Sequence, residues 1–222
     1  MKKILVIAPH PDDETLGCGG ALLKHRANGD ELHWLIVTGI STGAGFSEER
    51  VASRNGEILQ VGNMYGFESL HKFNFPTAQL DTMPIGDIVQ RMGRVMHVVQ
   101  PEVVYLPYRG DVHTDHKIVF DAAVSCTKWF RYPSIKRVLA YETLSETEFG
   151  INPDSNGFRP NVFVDISEHL EQKLEIMRIF ASEMGEFPFP RSEQAIRALA
   201  ALRGAAAGCA AAESFMLLKE RD

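Results

Sequence analysis

Along the chain, short unbroken apolar runs alternate with longer segments whose apolar residues recur every three or four positions. The runs Ile4–Ala8, Leu32–Val37, Val103–Leu106, Val138–Tyr141 and Val162–Ile166 are rich in β-branched residues and too short for helices. Between them, Ile85, Ile88, Val89, Met92, Val95, Met96 and Val99 fall on one helical stripe, with Pro84 suited to its first turn. A second stripe carries Ile118, Val119, Ala122, Ala123, Cys126, Trp129 and Phe130, and places the aromatic pair in the core. A third starts at Ser167, a good helix cap, and carries Leu170, Leu174, Met177 and Ile179. Continuous apolar strands separated by helices predict a mostly parallel sheet covered on both faces. This is a Rossmann-like α/β fold. No repeat or linker divides residues 1–222, so a single domain is expected, and the tract GAAAGCAAA (204–212) reads as a tight helix or turn before strand-like Phe215–Leu218.

Composition narrows the partners. The chain has 222 residues, 45% of them hydrophobic, and a net charge of −6, so no global field draws it to nucleic acid or an anionic membrane. No apolar run approaches the ~20 residues that span a bilayer. Met1-Lys2-Lys3 opens like a signal peptide, but His10 and Asp12 arrive before an apolar region of roughly 7–15 residues is complete. The three cysteines are far apart and odd in number, which fits reduced thiols in the cytoplasm. With no Cys-x-x-Cys pair, a thiolate zinc site is not indicated.

In open parallel sheets, ligands bind beyond the carboxyl ends of the strands. Two polar clusters lie there: APHPDDETLGCGG (8–20) after the first run, and PYRGDVHTDH (107–116) after the run ending at Leu106. The glycines of the first cluster do not make a dinucleotide fingerprint, because Leu22 stands where the third glycine is required. Gly17, Gly19 and Gly20 read instead as positions where a helix approaches the sheet closely. His10 and Asp13 are three residues apart at a strand-to-helix turn, so their side chains can converge on one ion, with Asp12 beside it. One imidazole from the second cluster would complete a two-histidine, one-carboxylate set with positions left for water and substrate. That donor set suits zinc and Fe(II) alike.

Together these segments resemble the PIG-L/LmbE-like N-acetylglucosaminyl deacetylases. The likeness rests on Ala8-Pro9-His10-Pro11-Asp12-Asp13-Glu14 and His113-Thr114-Asp115-His116. It extends to Arg54-Asn55-Gly56-Glu57, Arg203-Gly204 and Ala212-Glu213-Ser214-Phe215. The resemblance implies His10, Asp13 and His116 as ligands of Zn2+ (or Fe2+ or another divalent ion), and Asp12 as general base. It implies a protonated His113 that stabilises the oxyanion or protonates the leaving group, with Asp115 as its orienting partner. Arg54 matches an arginine that holds substrate hydroxyls, and Glu14 is assigned with it to substrate binding. Thr77 stands where many members carry an acid after the proline of a substrate loop. The implied activity is metal-dependent removal of acetyl from an N-acetylglucosamine-type sugar or glycoconjugate, by a homo-oligomer, trimeric or hexameric by analogy. Hydratases of the same superfamily, which add water to small unsaturated carboxylates, are the alternative, since neither main motif separates addition from hydrolysis. Cys18, among glycines, is expected to have no nucleophilic role, and Arg159 and Arg191 lie in loops that could meet a polar substrate.

Overall fold

The computed structural model describes residues 1–151 and 157–222. Strands β1 (Lys3–Ala8), β2 (Glu31–Gly39), β3 (Ser69–Pro76), β4 (Val103–Pro107) and β5 (Arg137–Tyr141) run parallel. Strand β7 (Ala212–Glu220) is antiparallel to both β5 and β6 (Val162–Asp165). The seven strands form one sheet in the order β3-β2-β1-β4-β5-β7-β6. Strand order therefore reverses between β1 and β4, the position where sheets of this kind open a crevice.

Successive residues of a strand face opposite sides, so the two central strands feed two separate cores. Ile4, Val6, Ala8, Leu32, Trp34 and Ile36 pack under α1 (Asp13–Ala27), α2 (Glu48–Tyr65) and α5 (Leu170–Met177), joined by Ile196 of α6 (Glu193–Ala207). Leu5, Ile7, Leu35 and Val37 pack under α3 (Ile85–Val99) and α4 (Thr114–Ser125). No described helix is long and apolar enough to cross a membrane.

Helix α1 sits unusually close to the sheet. A Cβ on Gly17 would lie 2.2 Å from Tyr141 Cδ2, and one on Gly20 would lie 2.6 Å from Ile166 Cγ2. The helix is also broken at Cys18 (φ −145°, ψ 20°). Such a break leaves backbone groups without their helical partners, and a buried ion pair takes them up. Glu213 of β7 accepts from the N–H groups of Gly20 (2.8 Å) and Ala21 (2.7 Å), while Lys173 of α5 donates to Leu16 O (2.9 Å) and Glu213 Oε1 (2.7 Å). The glycines and this pair together aim the first turn of α1.

Three local readings differ from the sequence pattern. Strand β3 carries His71, Lys72 and Asn74 at a sheet edge, so its alternation was too polar to stand out. Helix α4 stops at Ser125, which leaves Trp129 (64% exposed) and Phe130 (62%) on the surface, not in the core. Ser167 does not cap α5, whose cap residue is His169; the Ser167 hydroxyl instead donates to Asp165 Oδ1 at 2.6 Å. The tract 204–212 is the end of α6, a turn at Gly208 and the start of β7.

Replacing one member of a buried ion pair leaves an uncompensated charge, which costs about 3–5 kcal/mol. Lys173→Met is therefore expected to lower unfolding free energy by about that much in urea denaturation. A change below about 1 kcal/mol would show that the pair does not hold the break in α1.

Candidate metal and active site

The loop between β1 and α1 is tied down at each carbonyl. Pro9 O accepts from Thr38 N (3.0 Å) and Thr38 Oγ1 (2.8 Å) at the end of β2, and Pro11 O accepts from Arg54 Nη1 (2.9 Å) of α2. Asp12 O accepts from Thr15 N and Leu16 N, starting the helix. The Asp12 backbone has φ 139°, a conformation rare for any residue but glycine, and the Glu14 carboxylate accepts its N–H at 3.1 Å. Backbone strain of this kind persists only where the surroundings enforce it.

From this loop Asp13 reaches under the crevice. Its Oδ2 accepts from His10 N at 2.8 Å and lies 3.3 Å from His10 Nδ1 and 3.4 Å from His116 Nε2. His116 comes from the first turn of α4, beyond β4, so the two sides of the switch point supply the cluster together. Ligand atoms of His10, Asp13 and His116 all lie within 4.8 Å of one another.

Each imidazole is fixed from behind by a second carboxylate. His116 Nδ1 donates to Asp111 Oδ2 (2.8 Å), and the other Asp111 oxygen accepts from Thr147 Oγ1 (2.7 Å). His10 Nε2 donates to Asp115 Oδ2 (3.0 Å), which also accepts from Ala78 N (2.7 Å), while Asp115 Oδ1 accepts from Leu80 N (3.1 Å). Such carboxylate–histidine pairs set the tautomer, leaving the lone pair of the other ring nitrogen forward. For His116 that forward nitrogen, Nε2, is buried and has no hydrogen-bond partner. An orphaned imidazole nitrogen facing a carboxylate and a second imidazole is what a divalent cation fits. His10, His113 and Asp115 form a second close group. There the Asp115 carboxylate is already engaged as above, and His113 Nδ1 accepts from Asp115 N (3.1 Å).

Electrostatics agree with the demand for positive charge at this point. Burial opposes charge on His10, but its hydrogen bonds to Asp115 and Asp13 outweigh it and raise its pKa to about 9. Burial likewise opposes charge on His116, and Asp13 and Asp111 overcome it to push its pKa up. Asp13 is held well below the usual carboxylate range by His116 and His10 despite its burial. Asp12, by contrast, is pushed up, first by burial and then by Asp13 beside it. A cation entering this cluster would displace protons from the imidazoles.

Two assignments change on this geometry. The Asp115 carboxylate pairs with His10, not His113, and meets His113 only through its backbone N–H; its negative charge favours charge on His113 but is outweighed. Burial and the neighbouring His10 and His116 lower His113 to about 4, which makes it neutral, with Nε2–H as its donor. Glu14 is fully buried, bonded to Thr15 Oγ1 (2.7 Å) and Asp12 N, and cannot touch a substrate. Asp111 was not singled out from sequence, although it stood in the same acidic run as His113 and His116. Cys18 is buried, and its thiol is pushed up by burial, in keeping with an inert role.

A cleft of about 670 Å³ opens onto the cluster. His10, Asp12, Asp13 and His113 line its floor, with Arg54, Asn55, Lys72, Thr77, Glu146, Glu183 and Arg191 around them. Arg159 is not among the lining residues. Arg54 is mostly buried: it holds Pro11 O and pairs with Glu183, and its Nε is 3.0 Å from Glu57.

Fold and site define an α/β protein with a His–Asp–His metal-type centre under a polar cleft at the sheet's switch point. Residues 5–127 match the family model PIG-L: GlcNAc-PI de-N-acetylase, and the chain belongs to the PIG-L family. It is similar to the diacetylchitobiose deacetylase of Thermococcus kodakarensis, 28% identical across 97% of this chain and 82% of the relative. The N,N'-diacetylchitobiose deacetylase of Pyrococcus horikoshii shares the fold, with a TM-score of 0.79 at 22% identity, covering 98% of this chain and 84% of that one. The 4-carboxy-2-hydroxymuconate hydratase of Pseudomonas putida shares it too, with a TM-score of 0.77 at 21% identity over 100% and 98% of the two chains.

Two substitutions test the outer carboxylates. Asp111→Asn is expected to weaken metal affinity about 10–100-fold, measured by competition with a chromophoric chelator. Unchanged affinity would remove Asp111 from the centre. Glu14→Ala is expected to cut acetyl-hydrolysis kcat about tenfold or more while metal content holds, with Glu14→Gln largely restoring it through the same N–H bond. A raised KM with unchanged kcat would return Glu14 to substrate binding.

Proposed function

We propose that this chain is a metal-dependent N-deacetylase that hydrolyses the acetamide of an N-acetylglucosamine-type sugar or glycoconjugate. The observation that carries this reading is the orphaned, buried His116 Nε2, which faces Asp13 beside a cleft lined by His10, Asp12 and Asp13. His10 Nδ1, Asp13 Oδ2 and His116 Nε2 would hold the ion, Zn2+ being the first choice and Fe2+ the second. When bound, such an ion lowers the pKa of water from 15.7 to about 7 and polarises a carbonyl.

The protein's own groups supply the remainder. Asp12, whose burial and acidic neighbour raise its proton affinity, takes a proton from the attacking water as oxygen adds to the acetyl carbon. Neutral His113 donates its Nε2–H to the oxygen that gains charge, held in that tautomer by Asp115 N–H at its Nδ1. As the C–N bond breaks, Asp12 returns the proton to the departing nitrogen, and acetate and the free amino sugar leave. Arg54, at the cleft wall, meets the sugar hydroxyls while holding the loop that carries Asp12. The hydratase alternative has fold likeness behind it, whereas the relative matched over nearly the full chain is named a deacetylase. We take the working form to be a cytoplasmic homo-oligomer, in line with the resemblance and the unpaired cysteines.

The test is acetate release from a panel of N-acetyl sugars and nucleotide sugars, with and without chelator. Asp12→Ala is expected to keep its metal and lose about 10²–10⁴ in kcat, the range of general base catalysis. His116→Ala is expected to lose both metal, by elemental analysis, and turnover. Turnover that survives chelation, or His116→Ala with full metal and normal rate, would overturn the proposal.

A further inference from the structure

The segment that follows β5 carries three acids close together, Glu142, Glu146 and Glu148. Two of them are engaged within the fold. The Glu142 carboxylate accepts from Arg203 Nε (2.8 Å), Arg203 Nη2 (2.6 Å) and Ser214 Oγ (2.7 Å), and Glu148 Oε1 accepts from Ser145 N (2.7 Å). Glu146 is the one that lines the cleft, together with His10, Asp12 and His113.

Its backbone is fixed by the loop between β4 and α4, the loop that carries Asp111 and His113. Glu146 O accepts from Val112 N (3.1 Å), Glu146 N donates to Thr143 O (3.1 Å), and the next residue, Thr147, donates its hydroxyl to Asp111 Oδ1 (2.7 Å). Thr147 thus turns inward to the acid behind His116 while its neighbour turns to the cleft. Ser145, just before, is held at φ 73°, a left-handed conformation uncommon outside glycine. Strain of this kind persists where the surroundings over-determine a turn, and it collects at functional sites.

A side-chain relay then aims the carboxylate. Arg191 Nη1 donates to Ser145 Oγ (3.1 Å), which donates to Glu146 Oε1 (3.3 Å). Arg191 spends its other nitrogens on Glu183 O (2.7 Å) and Glu183 Oε2 (3.6 Å), so it orients Glu146 without neutralising it. Among the described residues Glu146 Oε2 accepts no hydrogen bond, and no cation lies within ion-pair distance of either oxygen. Burial pushes its pKa up; His116 draws it down, while Asp13 and Asp111 add to the rise. Glu146 therefore stands in the field of the metal-type centre, at the end of the cleft where the acetamide-bearing ring must lie. A carboxylate stripped of water there is satisfied by neutral O–H donors and would repel an anion. We infer that Glu146 is a specificity-determining residue of this cleft, whose free oxygen accepts a hydrogen bond from a hydroxyl of the same sugar ring that carries the acetamide. This rests on the deacetylase reading for the same cleft.

The experiment sets N-acetylglucosamine against its 1-, 3-, 4- and 6-deoxy analogues on the metal-loaded full chain and its Glu146→Ala and Glu146→Gln variants. Acetate release, calorimetric binding and metal content are read together. For one analogue the unaltered chain is expected to lose about tenfold in kcat/KM relative to N-acetylglucosamine, through KM. Glu146→Ala is expected to lose about the same for N-acetylglucosamine and nothing further for that analogue, which is the signature of two groups in contact. Glu146→Gln, which keeps an acceptor oxygen without the charge, is expected to fall between. The same coupling in binding constants with no acetate released would sustain the contact and defeat the deacetylase reading. An unaltered chain that treats all five compounds alike would overturn the inference. So would losses that multiply for every analogue, or metal lost from Glu146→Ala, even if acetate is released.

Discussion

A carboxylate removed from water must be met by positive charge, and Asp13 is the residue around which this molecule settles that demand. It lies buried between His10 and His116, and each of those imidazoles is backed by another acid. The outer acids are held in turn by Thr147, by the backbone of the loop after β3, and by the ring nitrogens themselves. Removing any layer leaves charge uncompensated in a low-dielectric interior, so the layers depend on one another. A divalent ion would complete the arrangement by replacing protons the imidazoles otherwise carry.

The rest of the fold can be read as support for that one loop. Helix α1 starts in a strained conformation at Asp12, lies against the sheet through glycine, and breaks at Cys18. The buried Lys173–Glu213 pair takes up the polar groups released by the break and ties α1 to α5 and β7, elements late in the chain. Arg54 brings α2 into the same structure by holding Pro11 O. Glu14, between Asp12 and Thr15, is part of the support and not of the substrate surface. The acids of the first motif therefore sit in three different settings, set by where each points.

The division of charge in the cleft follows from this placement. Asp12 and Asp13 face the cleft at the histidine cluster, while α2, β3 and the loop bearing Arg191 bring Arg50, Arg54, Lys72 and Arg191 to it together with Glu183 and Glu146.

What the sequence determined was chemistry of short range and strong pattern. Apolar β-branched runs announced the parallel strands, because a strand covered on both faces has nowhere to put polar residues. His10 and Asp13 could be paired from their spacing, and the glycines that follow read correctly as a close approach. The sequence did not reveal β3, whose edge position tolerates His71, Lys72 and Asn74. Nor did it place Trp129 and Phe130, since helical period continues in the letters after α4 has stopped. Only the tertiary structure decided that the Asp115 carboxylate meets His10, that Asp111 meets His116, and that burial beside two imidazoles lowers the pKa of His113. The Asp115–His10 pair joins residues from opposite sides of the sheet's switch point. Hydrogen bonds between such segments depend on the register and direction of whole elements, which no local spacing records.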